Sequence, residues 1–423
     1  MTHSRTVELE GHIIDSGTMQ RCFGAVMDLG GSFDVEQFDV GKHETEESYC
    51  RLTVSADDEE TLRAILHELH QNGAVLESPT EVELVAAPED KVVPPNFYST
   101  TNHPTEVLYD GEWIDVERIE MDCALVVEPA SEDSEDGPRA YTKTLNAVEE
   151  GDLVATDQSG IRVRPPERPR GGGGAFGFMQ GGVSAERPSE STIRQVADEL
   201  RAVSDDGGNV MVVAGPAVIH SGAGDALADL VAGGYVDALS AGNGFATHDL
   251  ERSIYGTSLG MNVETLEHPR KGHKHHIWTI SEVIRAGGIE AAVEEGIVTE
   301  GVMYQCVERD VDTVLAGSIR DDGPLPDTIT DAVEAQNAIR EQAHDADIVI
   351  MLATLLHSVA VGNCLPSTTK TVCVDINPAT VTQLLDRGSA QAIGMVTDIG
   401  TFVPTLAEFV LEDDGAETAE ANE

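Results

Sequence analysis

The chain has 423 residues, with 76 acidic against 26 basic side chains and a formal charge of -50; only six of the cations are lysines. So acidic a surface excludes the basic patches that nucleic-acid binding needs. Spread along the whole chain, it is the composition expected of a salt-rich cytoplasm, where a Debye length of about 3 Å at molar salt suppresses self-repulsion. The length allows two or three domains.

The first 95 residues alternate strand and helix signals. Thr6 to Ile14 reads as a strand, Met19 to Leu29 as a helix, and Ser32 to Val40 and Ser48 to Val54 as strands. Asp57 to Gln71 carries Leu62, Ile65, Leu66 and Leu69 at helical spacing. This β-α-β-β-α order predicts a small ferredoxin-like α+β module over 1–95. A β-rich segment, 96–165, follows with strands at Val107–Ile114, Cys123–Glu128 and Gly160–Val163, and with a solvated acidic loop at Ser131–Gly137. The Pro- and Gly-rich run around 166–190 cannot form a regular element and reads as a linker, or as a loop over a ligand.

From Ser191 to Leu411 strands alternate with helices. Strands are expected at Asn209–Ala214, Val236–Ser240, Thr313–Ala316, Asp347–Leu352, Thr371–Asp375 and Ala392–Val396, and helices include Ser281–Glu295 and Phe402–Leu411. That pattern predicts a parallel sheet covered on both faces. Residues 412–423 read as a disordered acidic tail. The fold class is therefore α/β: a C-terminal Rossmann-like doubly wound parallel sheet, an N-terminal ferredoxin-like α+β module and a β-rich middle segment.

Six cysteines are scattered without a C-x-x-C pair, so zinc and disulfides are not indicated and reduced cytoplasmic thiols are expected. Neither a signal-peptide pattern nor 18 uninterrupted apolar residues occurs, so no membrane partner is expected.

Three segments follow apolar strands with small, polar or acidic residues: Ala241-Gly242-Asn243-Gly244, Ala353-Thr354-Leu355-Leu356-His357-Ser358 and Val374-Asp375-Ile376-Asn377-Pro378. They read as loops at the strand ends, which is where open parallel sheets bind nucleotides. Asp375 ending its strand fits a ribose diol and repels a 2′-phosphate, favouring NAD over NADP; it equally fits a cap on the helix near Pro378. Asp398 ends the next strand in the same way. Gly215 after Val213-Ala214 has the form of a phosphate-binding crossover, yet no G-x-G-x-x-G is present; Gly222-Ala223-Gly224 and Gly242-Asn243-Gly244 match it in part or are ordinary turns. Lys271-Gly272-His273-Lys274-His275-His276 suits proton transfer or carboxylate binding, a metal less well since acidic and cysteine ligands are not adjacent, and a plain surface loop as well. In Gly317-Ser318-Ile319-Arg320-Asp321-Asp322-Gly323-Pro324, Arg320 suits a carboxylate and the paired Asp a ribose, an ammonium or a base, unless the run is only a turn.

Taken together, the Ala241–Asp249, Leu315–Asp327, Ala353–Ser358 and Val374–Val381 segments resemble the archaeal-type ornithine cyclodeaminase family, whose domain also forms the C-terminal part of cyanobacterial arginine dihydrolase/ornithine cyclodeaminases. Glu10–Asp15 and Met27–Gly31 resemble the LOR/SDH conserved domain found in the same family, and the likeness runs from about residue 7 to 411. The resemblance implies conversion of L-ornithine to L-proline and ammonia through a catalytic NAD cycle, in which a hydride leaves the α-carbon, the side-chain amine closes the ring, ammonia departs and the hydride returns. It implies cofactor contacts at Asn243, Gly244, Asp322, Thr354, Leu355, Leu356, His357, Asp375, Ile376, Asn377, Asp398 and Ile399. The family often has alanine where this chain has Gly244. His276 and Asp322 are the expected proton-exchanging residues, no metal is expected, and L-ornithine and further copies of the chain are the expected partners. Two other readings are a deoxyhypusine-synthase-like NAD-dependent amine transferase and a non-catalytic NAD- or amino-acid-binding regulator.

Overall fold

The computed structural model describes residues 3–14, 16–43, 46–77, 80–130, 137–165, 190–262, 272–321, 323–387 and 392–420. The Gly/Pro run from 166 to 189, the acidic loop 131–136, Lys271, Asp322 and the last three residues lie outside them. Two compact units divide the chain: 1–174 with 365–368, and 175–364 with 369–423.

The first unit begins β1 (His3–Gly11), α1 (Thr18–Asp28), β2 (Ser32–Asp39), β3 (Ser48–Ala56), α2 (Glu59–Gln71), β4 (Val75–Leu76). The sheet order β2-β3-β1-β4 is the ferredoxin-like arrangement expected from the element order. Along β3 buried and half-buried residues alternate strictly, so Cys50, Leu52 and Val54 face α1 and α2 and meet Cys22, Val26, Leu62, Ile65 and Leu69. Helix α2 starts at Glu59 rather than Asp57 because Asp58 is its cap, accepting from Thr61 N at 2.8 Å.

Next come β5 (Glu83–Ala86), β6 (Thr105–Tyr109), β7 (Glu112–Glu117), β8 (Ala124–Glu128), β9 (Arg139–Lys143), β10 (Leu153–Thr156) and β11 (Ile161–Val163), in a sheet ordered β11-β6-β7-β9-β8-β10-β5. The single strand expected over Val107–Ile114 is a hairpin instead. Asp110 and Gly111, at φ 51° and 82°, supply the two left-handed residues of a tight reversal.

In the second unit α3 (Glu190–Asp205) leads into β12 (Val210–Ala214), α4 (Ala217–His220), α5 (Gly224–Ala232) and β13 (Ala238–Gly242). Then follow α6 (Asn243–Tyr255), the small hairpin β14 (Thr257–Ser258) and β15 (Met261–Asn262), α7 (His275–Ala286), α8 (Ile289–Glu294) and α9 (Val302–Glu308). The chain continues through β16 (Asp312–Ala316), β17 (Thr328–Ile329), α10 (Ala332–Asp345), β18 (Ile348–Leu352), α11 (Leu355–Cys364), β19 (Lys370–Asp375), α12 (Pro378–Arg387), β20 (Ala392–Val396) and α13 (Ile399–Glu420). Seven strands pair in the order β17-β16-β13-β12-β18-β19-β20, every pair parallel. All five residues of β12 and of β18 are buried, as strands covered on both faces must be.

Three differences from the sequence reading have local causes. The helix expected over Ser281–Glu295 is broken into α7 and α8, because Gly287 and Gly288 at φ 106° and 146° cannot continue a helix. Residues 243–244 and 355–358 are not loops: Asn243 begins a helix directly after its strand, and Leu355 begins one two residues after its strand. Helix α13 starts at Ile399, where Asp398 Oδ1 accepts from Gly400 N at 2.9 Å, and runs to Glu420, past Leu411 where a disordered tail was expected. Alanine and glutamate in that stretch are good helix formers.

Candidate functional site at the carboxyl edge of the parallel sheet

Chain direction turns at β12. From it the strands β13, β16 and β17 run to one side, and β18, β19 and β20 to the other. The crevice outside the carboxyl ends of β12 and β18 is thus the topological switch point, the binding place of doubly wound sheets. The two turns there are pressed together. Gly215 N donates to Leu352 O at 2.9 Å, and Ala353, itself left-handed at φ 49°, donates to Val374 O at 2.9 Å. A β-carbon on Gly215 would lie 2.3 Å from Ala353 O. Gly215 is therefore needed for turn-to-turn packing.

Asn243 is 4% exposed, and its Oδ1 accepts from Leu325 N at 2.9 Å and Thr328 Oγ1 at 3.0 Å. Its side-chain oxygen thus ties the segment after β16 to the end of β13. Within that segment Asp321 closes its own turn, accepting from Ser318 N at 2.7 Å and from Ser318 Oγ, while Ile319 and Arg320 are exposed. Gly244 stands beside the β12 turn; a β-carbon there would touch Pro216 Cγ at 3.6 Å, ordinary contact that an alanine tolerates. His357 leans over Gly242, whose added β-carbon would be 3.3 Å from His357 Cε1, and burial pushes the His357 imidazole below its usual range.

On the other side of the switch point, Asp375 is half-buried at the end of β19 and accepts from Asn377 N at 2.7 Å; Asn377 Oδ1 accepts from Ala379 N at 3.0 Å and caps α12. The cap on α12 is therefore Asn377, not Asp375, whose carboxylate shapes the turn before the helix. Asp398 is exposed at the end of β20. Thr354 is half-buried, while Leu355, Leu356 and Ile376 are exposed apolar side chains at 44%, 80% and 73%. Ile399 faces the other way, 5% exposed in the core, so only its backbone reaches the edge. This donor set suits a dinucleotide: carboxylates at adjacent strand ends for ribose hydroxyls, apolar side chains for flat rings, and the amino-terminal turn of α11 for phosphate.

A second cluster lies near the ends of β12 and β13, and sequence reading found only part of it. His220 ends α4, His248 stands on the second turn of α6, and His275 and His276 open α7. The rings of His220 and His248 are 4.8 Å apart between centroids, and those of His248 and His276 6.5 Å. Glu251, three residues after His248 on the same helix face, is wholly buried. Its Oε2 meets His248 Nδ1 at 3.0 Å, and its Oε1 accepts from Thr257 Oγ1 and Gly260 N, both at 2.8 Å. Burial pushes the Glu251 carboxyl up, but the hydrogen bonds from His248, Thr257 and Gly260 together outweigh it and hold the group below its usual range, ionised. Thr257, having donated to Glu251, accepts from His275 Nδ1 at 2.8 Å. His275 stacks on both Tyr255 and Trp278, which also touch each other, so the three rings form a triangle. Ser258 Oγ holds His220 Nδ1 at 2.7 Å, and burial, with His248 adding to it, pushes His220 down to about 4. The available sequence signal was the His248/Glu251 spacing of three residues, visible only once Asn243–Tyr255 is known to be helical.

Asp249, between these two, points elsewhere. It is buried, accepts from Val302 N at 3.1 Å and Met303 N at 2.8 Å, and fixes the start of α9. Among the described residues no group of three or more His, Cys, Asp or Glu is arranged to hold a metal ion.

Family models match the chain almost end to end. Residues 4–103 match the LOR/SDH bifunctional enzyme conserved region, 104–193 the first region of the C-terminal part of arginine dihydrolase ArgZ-like proteins, and 194–406 the Rossmann-fold region of that part. An ornithine cyclodeaminase of Methanopyrus kandleri is 52% identical over 402 residues, covering 95% of this chain and 96% of that protein. The chain belongs to the archaeal-type ornithine cyclodeaminase family. Among solved structures of this family's relatives, the apo crystal structure of ArgZ, a cyanobacterial arginine dihydrolase, superposes with a TM-score of 0.84 at 38% identity. It is covered over 59% of its length by 98% of this chain. The crystal structure of the ternary complex of AgrE with ornithine and NAD+ matches at a TM-score of 0.53 and 40% identity, over 98% of this chain and 58% of AgrE. Members of the family thus include a protein solved with both ornithine and NAD+ bound.

Proposed function

We propose that the chain is an ornithine cyclodeaminase, converting L-ornithine to L-proline and ammonia with NAD held at the carboxyl edge of the parallel sheet. Asp375 at the end of β19, flanked by the exposed apolar Leu355, Leu356 and Ile376, is the observation that carries the reading. In it, Asp375 and Asp398 take ribose hydroxyls, and Thr354 through His357 and Ile376 through Asn377 border the cofactor with side chains and first-turn amides. Asn243, Gly244 and Ile399 act through backbone and packing, Asn243 by holding the segment that carries Asp322. When bound, NAD accepts a hydride from the substrate α-carbon and later returns it, so no external oxidant is consumed.

The rest falls to the chain's own groups. The exposed apolar side chains at the strand ends exclude water, which protects a hydrolysable imine. His276 and Asp322 are our candidates for proton exchange with the substrate amines, His276 because it joins the histidine cluster. Cytoplasmic work at high salt fits the charge of -50, the six buried free cysteines and the absence, among the described residues, of a helix long and apolar enough to cross a membrane. Proline formation is the cellular role that this chemistry implies.

The deciding assay incubates the protein with ornithine and NAD+ in multimolar KCl and measures proline, ammonia and NADH. Proline and ammonia in equal amounts without net NADH are expected. Ornithine consumed with stoichiometric NADH and no proline would overturn the reading.

A further inference from the structure

Ornithine carries two ammonium groups and one carboxylate, and a proline zwitterion plus an ammonium ion carry the same net charge. The reaction therefore exchanges no proton with solvent overall, yet it needs protons moved. A hydride leaves the α-carbon only when the attached nitrogen has a lone pair, so the α-ammonium must first lose a proton. The nitrogen pair then forms the C=N bond as the hydride passes to the nicotinamide dinucleotide. The side-chain ammonium must also lose a proton before its lone pair attacks that carbon. Both protons reappear, one on the ammonia that leaves and one on the ring nitrogen once the hydride has returned. A base that takes a proton and gives it back within one turnover is required.

Resting on the cyclodeaminase reading, we propose that His248 shares this proton exchange with His276 and Asp322 as such a base, and that Glu251 is the positioning residue that fixes its tautomer. The Glu251 carboxylate is wholly buried and accepts from three donors, so its bond to His248 at 3.0 Å keeps the proton on Nδ1 and leaves Nε2 with a free pair. The same carboxylate stabilises the imidazolium when it forms. His248 retains 15% side-chain exposure, against none for Glu251, so the ring is the accessible end of the pair. The groups around it do not oppose a positive charge. His220 from α4 is held neutral by burial; Thr257 and Ser258 from β14 are hydroxyls; His275 and His276 come from α7, and His275 gives its Nδ1 proton to Thr257. Beyond Glu251 on α6, Arg252 is paired with Asp225 of α5. Asn243 and His248 lie on one helix that starts at the edge of β13, which brings the base to the same edge as the cofactor contacts.

The experiment compares wild type, Glu251→Gln, Glu251→Asp and His248→Gln. A glutamine at 251 keeps an oxygen for Thr257 and Gly260 but turns its amide N–H towards His248 Nδ1, which moves the imidazole proton to Nε2. The expected result is a kcat lower by about 10²- to 10⁴-fold in Glu251→Gln and His248→Gln, with NAD+ affinity and melting temperature close to wild type. Glu251→Asp is expected to recover part of the rate. Nitrogen NMR of the imidazole, which needs no turnover, is expected to show Nδ1-protonated His248 in wild type and Nε2-protonated His248 in Glu251→Gln. A folded Glu251→Gln protein with wild-type kcat and pH profile, or Nε2 protonation in the wild type, overturns the proposal. A wild type that makes no proline while showing the expected tautomer overturns the functional reading and leaves the Glu251–His248 geometry standing.

Discussion

The carbonyl oxygen of Ala353 occupies the space that a β-carbon on Gly215 would need, at 2.3 Å. The two residues directly follow β12 and β18, paired central strands of the parallel sheet, and so meet at the switch point. The absence of a G-x-G-x-x-G fingerprint follows from this arrangement: the glycine at the first crossover serves one turn packing on another.

Gly215→Ala is accordingly expected to force the two turns apart. Overpacking of this kind costs about 1–3 kcal/mol, and because it displaces residues 353–357 it should weaken NAD+ binding along with stability. Thermal melting with and without NAD+ measures both; an alanine variant with unchanged melting and unchanged Kd contradicts the packing argument.

Asp375→Asn keeps the size of the side chain and its acceptor for Asn377 N, but removes the charge. If Asp375 holds the ribose diol, loss of a charge-assisted hydrogen bond worth about 1.5–3 kcal/mol raises the Kd for NAD+ roughly 10- to 100-fold. With the negative charge gone, the preference for NAD over NADP should narrow. Titration of both dinucleotides by calorimetry at high salt reads the two effects separately.

For Asn243 the expected consequence lies in the segment after β16. Asn243→Ala leaves the Leu325 amide without its buried acceptor, a loss of about 1–3 kcal/mol. Faster hydrogen exchange at Leu325 and Thr328, with β19 and β20 unaffected, is the diagnostic pattern; uniform loosening of the whole sheet would instead mark a general folding defect.

Asp249 supplies a pH signature. Burial raises its carboxyl from an ordinary 3.8 to about 6. Between those values the folded protein binds the extra proton, so this group's contribution is fully present below about pH 4, is lost as pH rises through about 6, and is constant above. Asp249→Asn should abolish that component, which the difference between wild-type and variant melting temperatures from pH 4 to 7 measures. A difference independent of pH over that window rules out Asp249 as its source.

Much of the edge was legible locally. The apolar runs Val210–Ala214, Ile348–Leu352 and Thr371–Asp375 are strands in the structure because a strand buried on both faces has no polar alternation to display, and Asp375, ending the third, marks the edge. The β-α-β-β-α order likewise specified the ferredoxin-like sheet of the first unit. Helix α6 was not legible, since Asn243, Thr247, Asp249 and Glu251 are polar yet buried and blur any amphipathic stripe.

What the sequence determined by itself is where six of the seven strands of the parallel sheet lie, which residues stand at their ends, and which family the chain resembles, because these rest on hydrophobic period and local motif. Tertiary structure alone decided that β12 and β18 are neighbours, that Asn243 clamps Leu325 and Thr328, and that His220, His248 and His276 converge while Glu251 is buried against His248. Read along the chain, Glu251 is one more acid among 76. Only packing takes water away from it, and once water is gone its hydrogen bonds to His248, Thr257 and Gly260 become the terms that keep it charged.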